Sequence, residues 1–139
     1  MMSEVMSRFL DGVSPAGYAR LLRAELGLGR GPVDLGEVCA RLGIALKEDD
    51  LPRSVDGCLI REPGRKPGIL VNCNVPYPSR KRFTIAHELG HYRIKTHKGT
   101  FYQCLGEDVE GYRARRIDEK EANEFACEFL LPEVEALEF

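Results

Sequence analysis

An α+β domain is what the sequence predicts: a small three-stranded sheet packed with about four helices. Two observations carry this expectation. Apolar residues recur at helical spacing before residue 45 and again after residue 78, and the stretch between holds short β-prone runs broken by Gly and Pro. The chain of 139 residues, 43% hydrophobic and 30% charged, suits a single domain over 1–139 that buries a core without disulfide staples.

Residues 1–13 read as a loosely packed leader without the continuous apolar run of a signal peptide. Ser14-Pro15 opens the first helix, with Ser as N-cap and Pro at the first helical position. Tyr18, Leu21, Leu22 and Leu26 give it an apolar stripe, and the Gly27–Gly31 stretch stops it. A second helix is expected from Leu35 to Leu42, ended by Gly43, with a short strand at Ile44–Lys47. Asp56–Arg61 and Gly68–Asn72 read as a hairpin around the turn Glu62–Pro67. Pro76 and Pro78 break the chain, Ser79 caps a helix from Arg80 to about Ile94, and 96–112 read as irregular. The last helix is expected from Ala114 to Leu131, stopping before Pro132.

The net charge is -2, so no global field recruits nucleic acid or an anionic membrane. Arg61, Arg65, Lys66, Arg80, Lys81 and Arg82 precede the central motif and read as a solvated face. Five cysteines, without CxxC spacing, indicate neither a disulfide framework nor a thiolate zinc site. Cys39, Cys58, Cys73, Cys104 and Cys127 read as small, partly buried residues. No stretch approaches the length of a membrane span, and the protein is read as cytoplasmic.

His87-Glu88-Leu89-Gly90-His91 is an HExxH pattern. On a helix, positions i and i+4 differ by only about 40°, so both imidazoles face one way and can bind one ion. Glu88 flanks them and can reach a water beside the metal. Ile85, Leu89 and Tyr92 face the core, while Gly90 is expected to leave the histidine face open for substrate or a strand. Catalytic zinc takes three protein ligands and keeps one position for water. A third histidine at the extended spacing is absent, and His97, beyond the expected helix end, reads as a surface residue.

The last helix offers carboxylates instead. With Glu119 set at 0°, Ala122, Ala126, Phe129 and Leu130 fall between about 280° and about 20°, and Asn123 falls near 40°. Glu121, Glu124 and Glu128 fall between about 140° and 200°, on the expected solvated side. A carboxylate on an apolar face needs a partner. A zinc ion fits Glu119, and a buried ion pair with Arg82 is the alternative. Asn123, one turn on, can orient a ligating imidazole through its second nitrogen.

The run Arg82-Phe83-Thr84-Ile85-Ala86-His87-Glu88-Leu89-Gly90-His91 resembles the "RFTxAHELGH" segment of the ImmA/IrrE metallo-endopeptidases. Glu119–Ala126 with Leu130-Leu131-Pro132 resembles their second signature, "ExEANxFAxxLLMP". The Pro32–Ile44 stretch and Ile69–Asn72 also resemble the family. The resemblance implies a minimal gluzincin-like fold, zinc held at His87, His91 and Glu119, and Glu88 as catalytic acid and base. It implies a protein substrate, a helix-turn-helix repressor, with no membrane partner and no direct nucleic-acid binding. Arg93 and Lys95 depart from the apolar residues usual there, and the chain ends soon after Pro132 where many relatives continue. A non-catalytic zinc-containing regulator that binds a repressor is the competing class, and a DNA-binding module built on Val33–Ile44 a third.

Overall fold

The computed structural model describes residues 12–29, 31–94, 97, 101–105 and 113–137, of which 101–105, 113–116 and 132–137 are described by their backbone. Most of the leader expected over 1–13 lies outside the described residues. The order of elements is α1 (Pro15–Leu26), α2 (Leu35–Arg41), β1 (Ala45–Asp49), β2 (Val55–Ile60), β3 (Gly68–Asn72), α3 (Pro78–Arg93), β4 (Phe101–Leu105) and α4 (Arg113–Leu137). The α+β class is therefore the one the sequence implied.

Local chemistry explains the early boundaries. The Ser14 hydroxyl accepts from the Gly17 N–H at 3.0 Å, and Gly27 ends α1 in the left-handed region at φ 65°. The Asp34 carboxylate caps α2 by accepting from the Glu37 N–H at 3.1 Å. Tyr18 and Leu22 are buried as their spacing implied, but Leu21 is exposed and Ala19 takes the inward place.

The sheet order is β1-β3-β2-β4. β2 and β3 form the expected antiparallel hairpin, β1 adds in parallel to β3, and β4 pairs antiparallel with the far side of β2. β4 lies in the stretch read as irregular. Its sequence, Phe-Tyr-Gln-Cys-Leu, becomes a strand because β2 offers it a backbone ladder. β3 is enclosed between β1 and β2, and among the described residues the outer strands are β1 and β4.

Two late boundaries also differ. Tyr77, not Ser79, is the N-cap of α3, and Pro78 fills the first turn, where its missing N–H costs nothing. α4 runs through Pro132 to Leu137. One proline removes only the bond to the carbonyl four residues back, and the backbone tolerates that loss here.

The core lies where α1, α3 and α4 cover the sheet, with Leu22, Leu59, Ile69, Val71, Leu89, Phe125 and Phe129 buried. Arg23 ties α1 to α4. It donates to the Phe129 carbonyl at 2.8 Å and to the Gly29 carbonyl, and its guanidinium lies 5.5 Å from the Phe129 ring centroid. The basic residues read as a solvated face are largely engaged. Arg80 grips Asp56 through two nitrogens, Lys81 pairs with Glu48, and Arg82 donates to the Val33 carbonyl. Cys39 and Cys58 are buried as expected; Cys73 and Cys127 are exposed, since Cys127 falls on the outer side of α4. No described helix is long and apolar enough to cross a membrane.

Two close approaches set the position of α3. Beneath it, a Cβ on Gly57 would lie 2.6 Å from the Thr84 methyl and 2.7 Å from the Leu70 carbonyl oxygen. Beside it, a Cβ on Gly90 would lie 3.1 Å from Phe125 Cβ and 3.2 Å from Ala122 Cα. Gly90 thus lets α4 come close, rather than holding the histidine face open. Gly57→Ala meets a backbone carbonyl that cannot yield, so it is expected to cost about 2–3 kcal/mol. Thermal or urea unfolding checks this; a variant as stable as the parent would contradict the packing.

Candidate metal centre

The helical spacing of His87 and His91 does what the sequence implied. Both rings leave α3 on the side facing α4, with centroids 4.8 Å apart. Both residues are buried, at 2% and 0% exposure. Glu119 arrives from α4. Its Oε2 lies 2.7 Å from His87 Nε2 and its Oε1 3.0 Å from His91 Nε2. Among the described residues, one donor atom from each of His87, His91 and Glu119 falls within 4.8 Å of the others.

The second nitrogens are also held. His87 Nδ1 lies 2.8 Å from Asn123 Oδ1. An amide oxygen only accepts, so His87 carries its proton on Nδ1 and turns the Nε2 lone pair toward the Glu119 carboxylate. Lone pair against carboxylate is repulsive unless a cation stands between them. This donor set therefore fits a divalent ion, with two imidazoles and one carboxylate matching the first shell of catalytic zinc sites.

Electrostatics agree with that use. Burial is the largest influence on His91 and lowers its pKa, which favours the neutral form that binds metal. Burial pushes Glu119 up, but hydrogen bonds and charge from His87 and His91 outweigh it and bring the carboxyl to about 2. Glu119 is thus ionised throughout the neutral range.

Glu88 is fully buried, and neither carboxylate oxygen meets a hydrogen-bond donor among the described residues. Its Oε1 lies 3.9 Å from His87 Nε2. Burial first, and the Glu119 charge second, raise its pKa well above 4.5. An orphaned buried carboxylate is costly, and such groups persist where chemistry uses them.

Three placements differ from expectation. Glu119 lies at the edge of the buried face, whose members Ala122, Phe125, Ala126 and Phe129 centre near 290° on the same angular scale. Phe125 had not been placed on that face. Glu121, read as solvated, lies at the opposite edge, and His97, read as a surface residue, is buried at 2%. His97 Nδ1 lies 3.0 Å from His91 Nδ1, and His97 Nε2 lies 3.0 Å from Glu121 Oε1 and 3.6 Å from Asp118 Oδ1. Arg61 fixes this turn by donating to the carbonyls of His91 at 3.3 Å, Tyr92 at 3.1 Å, and His97. Only the three-residue offset of Asp118 and Glu121, one helical turn, hinted that they could share a partner.

Residues 39–139 match a peptidase family model described as the IrrE N-terminal-like domain. The chain belongs to this family. No curated protein matches it. The family match makes the chain a metallopeptidase-type domain, and the His87, His91 and Glu119 group lies within the matched segment.

Because the folded-state pKa of Glu88 is raised, its stability contribution is full below 4.5 and declines as pH rises through the folded value. Glu88→Gln removes that penalty. Metal-free Glu88→Gln is expected to melt about 5 °C above the parent at pH 7, and the gap should close below about pH 4. Calorimetry across that range checks this; a gap that widens in acid would reverse the assigned sign.

Proposed function

We propose that this domain is a zinc-dependent endopeptidase in which His87, His91 and Glu119 hold the metal and Glu88 moves the proton. The observation that carries it is the pairing of two features in one buried place. A carboxylate spans both Nε2 atoms, and an unpartnered carboxylate with a raised pKa stands next to them.

When bound, the metal supplies Lewis-acid polarisation of water and of the scissile carbonyl. The protein's residues supply the rest. Glu88 takes the proton from the water that attacks the carbonyl carbon, and the C–N bond breaks as Glu88 returns that proton to the leaving amine nitrogen. Burial raises its pKa above the usual carboxylate range, which strengthens it as the base that takes the proton. Asn123 keeps the His87 ring oriented by accepting from Nδ1. The burial of Glu88, His87 and His91 keeps bulk water from competing for the proton. An extended peptide can pair with β4, an outer strand.

The substrate we favour is a regulatory protein of the helix-turn-helix repressor class, as the family resemblance implies, with the reaction in the cytoplasm. Among the described residues the group has three donors, one short of a closed four-ligand structural site, which favours catalysis over a non-catalytic zinc regulator.

The test is incubation of purified protein with any helix-turn-helix repressor found encoded beside it, with and without a chelator. Glu88→Gln should retain zinc while cleavage falls by at least about 100-fold. Cleavage unchanged in Glu88→Gln would remove its role, and tight repressor binding without any cleavage would establish the regulator instead.

A further inference from the structure

We infer that His97 is a positioning residue that fixes the ring orientation and proton location of His91, acting as a relay from Glu121 and Asp118 to the metal ligand. This rests on the functional reading above. The argument starts from the far end. An ionised carboxylate only accepts hydrogen bonds, so Glu121 Oε1, 3.0 Å from His97 Nε2, requires a proton on that nitrogen. Asp118 Oδ1 at 3.6 Å adds to the same preference. A neutral His97 with its proton on Nε2 has a lone pair on Nδ1. That lone pair faces His91 Nδ1 at 3.0 Å, so His91 must donate from Nδ1. The His91 Nε2 is then left as a lone pair, directed where Glu119 Oε1 stands at 3.0 Å. The order of protons along the chain therefore ends in the one tautomer of His91 that can bind a metal at Nε2.

His87 and His91 are served by different devices. Asn123 Oδ1 performs for His87 what the His97–Glu121 pair performs for His91. The second device is longer: the His97 imidazole stands between His91 and the α4 carboxylates. Arg61, donating to the carbonyls of His91, Tyr92 and His97, holds the turn that brings His97 back.

The geometry also decides against another use of this cluster. His97, Asp118 and Glu121 bring donor atoms within 4.8 Å of one another and could hold a second cation. A cation on His97 Nε2 would move the proton to His97 Nδ1, reverse the bond to His91, and place a proton on His91 Nε2. Neutral imidazoles thus cannot serve both centres at once.

The experiment measures zinc affinity by competition with a chromophoric chelator, alongside histidine ring nitrogen NMR spectra. His97→Phe keeps the volume and removes the acceptor; its zinc affinity should fall about 10- to 100-fold. His97→Asn offers an oxygen that only accepts and should recover most of that loss. Wild-type spectra should show the His91 proton on Nδ1. Should His97→Phe fail to fold, the Asp118→Ala/Glu121→Ala double variant removes two partly exposed acceptors and should weaken zinc binding at least about 3-fold by the same route. Zinc affinity unchanged in these variants, a His91 proton on Nε2, or two zinc ions per wild-type chain would overturn the relay. A wild-type chain with no zinc affinity would overturn the functional reading as well, whereas normal affinity indifferent to residue 97 would overturn this inference alone.

Discussion

The carboxylate of Glu119 stands between two buried imidazoles on a neighbouring helix, and the arrangement of α3 against α4 depends on that contact. Burying His87, His91 and Glu88 in one helix removes three polar groups from water. Apolar packing alone cannot offset such a loss. Glu119 brings a charged carboxylate to within 2.7 Å of His87 Nε2 and 3.0 Å of His91 Nε2, where a cation can satisfy all three groups together, and the two histidines hold its carboxyl near 2 despite its own burial. The helices can come close enough for this only because Gly90 faces Phe125 and Ala122 without a side chain. Packing and electrostatics thus act on the same few residues.

What the sequence made legible follows local rules. Two histidines four apart on a helix share a face whatever surrounds them, so the HExxH geometry was readable without a tertiary model. Ser14, Pro15, Gly27 and Asp34 act on neighbours three or four residues away, and their roles were equally open to inspection, although Asp34 had not been singled out. The hairpin of β2 and β3 needs only an intervening turn. Glu119 was singled out by a different argument, that a polar group on an apolar face needs a partner, and Asn123 by lying one turn further along the same helix.

The misplaced features all rest on contacts between distant segments. β4 is a strand because β2, more than forty positions earlier, presents an unpaired edge. His97 is buried because Arg61 and Glu121 converge on it from β2's end and from α4. Glu121 looked solvated because the buried face of α4 was centred on Glu119. The bulk of Phe125 moves that centre by about 70° and leaves acidic residues at both edges. A helical wheel fixes relative directions, but the centre of the buried face depends on what packs against it.

Those two edges explain why this site can be built at all. A carboxylate at the centre of the α4 face would lie among Ala122, Ala126 and the phenyl rings, with nothing to pair it. At the edges, Glu119 and Glu121 keep about a third of their side-chain surface in solvent, 31% and 32%, while their oxygens reach inward to histidine nitrogens. Partial exposure lowers the desolvation cost, and the inward bond orients the ring. The same device is used on both sides of the apolar ridge, once toward the metal site directly and once through His97. Glu88 has no such edge position. It lies in the interior of α3, fully buried, where only the metal site's own chemistry gives a charged form any use. Among the described residues, the one polar side chain that the packing leaves unsatisfied is therefore the one whose protonation changes in the proposed reaction.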